Sequence, residues 1–140
     1  MSAGTLRRSL IFWTLFIGLG AVAGGSAMLL DPSGGLLGMG GMLPYFQVLP
    51  LAEYLYQDLR FPGIALLIVN GATQLAAAGL LLRRRRGAAV WSGCCGVILM
   101  LWICIQFYIF PFNLMSTAYF LFGALEAANG FWLARKERGA

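Results

Sequence analysis

Four apolar runs, at about 9–30, 61–82, 88–109 and 113–134, alternate with short polar or basic breaks and one long mixed segment. Each run has close to the roughly 20 residues that a helix needs to cross about 30 Å of hydrocarbon. Inside a bilayer a segment must satisfy its own backbone, which a helix does and an open strand does not. The pattern therefore predicts an all-α fold, a polytopic membrane four-helix bundle that forms one domain over residues 1–140.

The breaks carry the expected turn chemistry. After the first run comes "DPSGG", where Pro32 cannot continue a helix and Gly34 and Gly35 permit the left-handed turns that close one. A segment from 31 to about 60 follows that is too apolar for an ordinary solvent loop. In "PLAEYLYQDLR" (50–60), Pro50 suits a first helical turn. Leu51, Leu55 and Leu59 repeat every four residues, while Glu53, Gln57 and Arg60 take another face. This predicts a short interfacial helix in the first outer loop, acting as a lid or gate over the bundle. The preceding "GGLLGMGGM" is glycine-rich but lacks the Lys and Ser/Thr of a phosphate loop. Between the last two runs, "FPFN" breaks one helix at Pro111 and offers Asn113 as the cap of the next, so a tight antiparallel hairpin is expected.

Charge adds a direction to this layout. Of ten basic residues, nine fall on one side: Arg7 and Arg8 before the first run, "RRRR" at 83–86, and Arg135, Lys136 and Arg138 after the fourth. Only Arg60 lies opposite. Basic residues gather on the cytoplasmic side of membrane proteins, so both termini are expected there. On this reading the arginines are topology anchors, and no nucleic-acid partner is expected. Trp13, Trp91 and Trp132 each lie within about two turns of a basic cluster, where an interfacial belt places them. Tyr45, Tyr54, Tyr56 and Tyr108 fall toward the other face. The N-terminal "RRSLIFWTLFIGLGAVAGGSA" has the parts of a secretory signal, but its apolar run continues through Met28, Leu29 and Leu30. That is longer than a signal core, and an uncleaved span is the expectation.

Composition agrees: 60% of residues are hydrophobic and 11% charged, against roughly 45–50% apolar in soluble domains. Cys94, Cys95 and Cys104 form neither a CxxC pair nor a zinc set, and the chain has no histidine, so neither metal nor cofactor is expected. The same lack of a base beside any serine or cysteine, and of paired carboxylates within a run, argues against an enzyme. Small-residue pairs suited to close helix approach occur at Gly20/Gly24, Ala72/Ala76 and Gly123/Ala127.

The candidate chemistry lies in "FLFGALEAANGFW" (120–132), where Glu126 is a lone carboxylate in an apolar run. Glu126 is about 13 residues into its run, and so is Gln74 in the second; Asn70 and Asn129 stand one turn from them. The two runs can thus present polar stripes, Asn70/Gln74 and Glu126/Asn129, at similar depth. A charge facing lipid costs roughly 2.5–3.5 kcal/mol and such carboxylates usually face the bundle interior. Glu126 is therefore expected inside, neutral or sharing a proton, and hydrogen-bonded to Gln74 or Asn70. This places a ligand or proton site at Glu126, Asn129, Asn70 and Gln74, with a separate outer-face candidate at Gln106 and Trp102.

The elements "DPSGG", "FPGIALLIVNG", "WICIQ" and "GALEAANG" resemble a pattern in small four-helix bacterial integral membrane proteins, a resemblance that implies no activity. The architecture is also similar to that of the DoxX-like and EXPERA families, some of whose members bind sterols or other apolar molecules. Small multidrug transporters are likewise four-helix proteins with one membrane carboxylate, though theirs lies on the first helix and they have no 30-residue outer loop. Two functions are expected from the residues and these likenesses: a non-catalytic module of the bacterial inner membrane that binds an apolar ligand or a membrane protein partner, or an oligomeric proton-coupled transporter that uses Glu126.

Overall fold

The computed structural model describes residues 2–33, 35, 47, 58–109 and 114–139. It is all-helical among these residues, with four long helices: α1 (Ala3–Leu30), α2 (Arg60–Leu82), α3 (Ala88–Ile109) and α4 (Leu114–Arg138). Each helix packs on its neighbours in the chain, and α4 closes the ring on α1. At about 1.5 Å per residue, α1 is roughly 42 Å long and α3 about 33 Å, so each is long enough to cross a bilayer.

Helix ends follow local chemistry. Ser2 caps α1, its Oγ accepting the Thr5 N–H at 3.2 Å. At the far end the Leu59 N–H donates to the Pro32 carbonyl at 2.8 Å, and the Asp58 Oδ1 accepts the Arg60 N–H at 3.0 Å. The end of α1 and the start of α2 are thereby tied together. Arg60 opens α2 rather than closing an interfacial helix, and Asp58 and Leu59 form a bend before it; residues 50–57 of the expected helix lie outside the described residues, as do "FPFN" and the Asn113 cap.

Three helices, α1, α2 and α3, are long and apolar enough to cross a membrane. The fourth expected span, 113–134, falls on α4, which is a long helix but less apolar than the other three. Ser116, Thr117, Glu126 and Asn129 make it more polar. Contact with α3 compensates, because the two backbones touch. A Cβ on Gly96 would stand 2.6 Å from the Gly123 carbonyl oxygen, and one on Gly130 would stand 2.5 Å from the Gly93 nitrogen.

Of the small-residue pairs, Gly123/Ala127 is buried in this contact. Ala72 and Ala76 instead face outward. On α1 the tight positions are Gly18, beside Leu75 and Gln74, and Gly25, beside Leu67 and the Gly63 carbonyl, not Gly20 and Gly24. Spacing alone says that a close approach is feasible; the helix rotation decides which glycine makes it.

Inside and outside are reversed relative to a soluble protein. Asn70, Gln74, Glu126, Thr14 and Ser92 are fully buried, whereas Phe12, Leu19, Ile68, Leu101 and Leu121 are exposed. Soluble monomers rarely expose contiguous apolar surface on this scale, whereas such an exterior matches a lipid solvent. One end of the bundle gathers the basic residues. There Leu6, Leu10, Leu81, Ala88, Ala89, Leu133 and Ala134 form a core drawn from all four helices, and Arg7 pairs with Glu137 at 2.6 Å. The start of α1, the α2–α3 turn and the end of α4 therefore share that end.

Candidate buried polar site

The bundle centre is built around α2. Its middle turn, Leu67–Ala72, is π-helical, a wide turn uncommon in proteins and often found at functional sites. Gly71 lets α1 approach here, with Val22 Cγ2 3.2 Å from where a Cβ would stand. The Thr73 hydroxyl folds back onto the Val69 carbonyl. Thr73 offers its own carbonyl to α3, where Trp91 Nε1 donates to it at 3.1 Å and Cys95 Sγ lies at 3.6 Å. These bonds lock the wide turn against its neighbour and hold Asn70 and Gln74, one turn apart, facing inward.

Glu126 comes from α4. It stands twelve residues after Leu114, about 18 Å along the helix axis and so near mid-bundle. Its depth is set by the Gly96 contact, which brings Ala127, the next residue, against the α3 backbone. Glu126 is 0% exposed, Gln74 0% and Asn70 2%. Gln74 and Cys95 are both close enough to the carboxyl to interact with it electrostatically.

The expected contact of Glu126 with Gln74 is made, with the amide acting on the carboxyl, but not as a close hydrogen bond. Both carboxyl oxygens of Glu126, and both amide atoms of Gln74 and of Asn70, are buried with no partner at ordinary hydrogen-bond geometry. Other buried polar groups are satisfied. Ser92 donates to the Ala88 carbonyl at 2.8 Å and Thr14 to the Ile11 carbonyl at 3.1 Å. Leaving a buried polar group unpaired costs about 1–3 kcal/mol, and native proteins hold few such groups. Six such atoms on three adjoining side chains therefore mark this centre as unlike the rest of the interior.

Asn129 does not join it. Its Nδ2 donates to Ser9 Oγ at 2.9 Å, which makes it a tie between α4 and α1 nearer the basic end. Depth along a helix is readable from the sequence, but rotation about its axis is not, and rotation sends Asn129 to α1. Gln106 is likewise engaged, its Oε1 accepting from Ser116 Oγ at 3.1 Å across the α3–α4 pair. Trp102 packs beside Ile17, Leu99 and Ile103. The outer-face candidates are thus placed in helix contacts. Sequence reasoning passed over Thr73 and the π turn and gave Cys95 no part in the site; a threonine two residues after an Asn-Gly pair inside a span was the available signal. No family model matches the chain, and no curated protein or solved structure matches it.

Proposed function

We propose that this chain is a multi-pass protein of a bacterial cytoplasmic membrane that works as a non-catalytic binding module. In this reading both termini and the arginine turn are cytoplasmic, because the basic residues share one end of the bundle. The ligand is an apolar molecule with one polar group, or a membrane protein partner that inserts one, and that group docks on Asn70, Gln74 and Glu126.

One observation carries this reading, namely the six buried polar atoms with no partner at ordinary hydrogen-bond geometry. A carboxyl and two amides offer both acceptors and donors, so a hydroxyl could donate to the carboxyl while accepting from an amide, and an ammonium group could donate to the oxygens. Polar and ionisable residues at this depth mark functional sites by default. Native mass spectrometry of the protein extracted from its own membranes in mild detergent tests it. A stoichiometric small-molecule or protein adduct, lost in Glu126→Gln, is expected; wild type and variant spectra that both lack any adduct would count against the module.

The π turn favours one second reading, an oligomeric proton-coupled transporter. Such turns are frequent at functional sites, and this one lies beside a carboxyl able to exchange a proton for a substrate. Four helices enclose little volume, so translocation would need more than one copy. Proton release on adding a cationic substrate, absent in Glu126→Gln, would move the assignment to this class.

A further inference from the structure

Away from the polar centre, α2 and α3 leave a cleft of about 280 Å³ at the basic end, lined by Ala76, Gly79, Leu80, Arg83, Arg85 and Trp91. Most of its lining is apolar, and a Cβ added at Gly79 would meet no atom within 4 Å. Arg83 and Arg85 are its charged lining residues. Among the described residues neither has an acidic partner, since the ion pairs formed are Arg7–Glu137 and Arg60–Asp58.

Backbone geometry holds the arginine turn in place. The Arg85 N–H donates to the Leu80 carbonyl at 2.9 Å and the Arg84 N–H to the Leu81 carbonyl at 3.2 Å, a double closure of the helix end. Arg84 takes the left-handed conformation that this closure requires, at φ 52°. Trp91 is anchored through its Nε1 to Thr73, which presents an indole at the depth where aromatic residues meet lipid headgroups.

We propose that this cleft binds an anionic phospholipid of the leaflet on the basic side. Its phosphate sits between Arg83 and Arg85, and its glycerol and first acyl carbons lie over Gly79 beside Trp91. Charge complementarity selects the headgroup, because two unpaired guanidinium groups match a phosphodiester. Basic pockets between helices on the cytoplasmic side are suited to such headgroups. The apolar part of the lining selects a lipid over free phosphate, since it offers an anion nothing. Volume agrees, being sufficient for a headgroup and the first carbons, with the remaining tail in the bilayer. The site rests on the membrane placement proposed above and not on the polar centre.

The test uses the full chain purified from alkaline-washed membranes, delipidated in mild detergent and given equal amounts of phosphatidylglycerol and phosphatidylcholine. Adducts are counted by native mass spectrometry. Wild type is expected to prefer phosphatidylglycerol, and R83Q/R85Q to lose about fivefold of that preference per arginine, the equivalent of about 1 kcal/mol each. R135Q/R138Q removes the same charge from the same end and is expected to keep the preference. G79F keeps every charge, clashes with nothing within 4 Å of its Cβ, and is expected to reduce retention of both lipids. Equal losses in the two arginine doubles would overturn the site in favour of a diffuse field, as would full retention in G79F. Displacement of the lipid by millimolar inorganic phosphate would assign the cleft to a free anion instead. Absence of the chain from washed membranes would overturn the membrane placement and this site together, whereas membrane recovery without any headgroup preference would overturn the site alone.

Discussion

Gly130 and Gly93 approach so closely that a Cβ on Gly130 would stand 2.5 Å from the Gly93 nitrogen and 2.6 Å from its Cα. Gly96 stands in the same relation to Ala127, at 2.5 Å from its nitrogen. Backbone lies on both sides of these contacts, so nothing flexible can yield. Gly96→Ala and Gly130→Ala are expected to force α3 and α4 apart at a cost near the upper end of the about 1–3 kcal/mol typical of overpacking. Gly93→Ala meets only the Phe131 ring, which can turn, and should cost less. Gly79→Ala meets nothing and should gain up to about 1 kcal/mol from helix propensity. Unfolding of the four variants in mixed micelles gives the ranking, and a Gly79 cost equal to that of Gly96 would remove the packing explanation.

The Asn129–Ser9 bond joins α4 to α1 across 120 residues of chain. Interhelical hydrogen bonds of this kind in membrane proteins average about 0.6 kcal/mol by double-mutant cycle. Asn129→Ala, Ser9→Ala and their double variant should return a coupling of about that size. A coupling near zero would mean that Asn129 spends its time elsewhere, the polar centre being the nearest alternative on its own helix.

Arg84 occupies the left-handed position that closes α2, where helices usually carry glycine. A non-glycine residue pays about 1–2 kcal/mol for that conformation. Arg84→Gly should therefore stabilise the protein by about 1 kcal/mol, less the extra freedom glycine gains when unfolded. Arg84→Ala keeps the strain and should change little. If both variants behave alike in thermal unfolding, the side chain and not the backbone governs this position.

Much of the fold was legible because an apolar run of bilayer length has only one way to satisfy its backbone. Hydropathy thus located four helices, and Pro32 marked where the first one stops. What escaped was set by contacts between helices. The π turn at Leu67–Ala72 contains no residue that demands it; Gly71 against Val22 and the carbonyl of Thr73 against Trp91 and Cys95 are tertiary causes. The burial of Glu126 and Gln74 followed from depth, and their side chains do come close. The looseness of that contact and the diversion of Asn129 to Ser9 did not follow, because both depend on azimuth.

The polar centre makes opposite demands on stability and binding, and Glu126→Leu separates them. In the protein alone the carboxyl is fully buried and makes no close hydrogen bond, so Gln74 beside it offsets little of its desolvation cost. Leucine has a similar volume and no polar atoms. Replacing a buried ionisable group by a well-packed apolar one is often neutral or stabilising by about 1–4 kcal/mol, and a single unpaired carboxyl belongs near the low end of that range. A centre kept for binding should therefore show Glu126→Leu at least as stable as wild type, measured by thermal unfolding in detergent, and without the adduct seen by native mass spectrometry. A centre kept for helix register should show the reverse, a loss of more than about 1 kcal/mol, because the carboxyl would then be holding Gln74 in the folded state. Glu126→Gln serves as the partner measurement: it keeps the shape and hydrogen-bonding capacity while removing the proton exchange, so loss of binding in both variants assigns the carboxyl itself to the ligand.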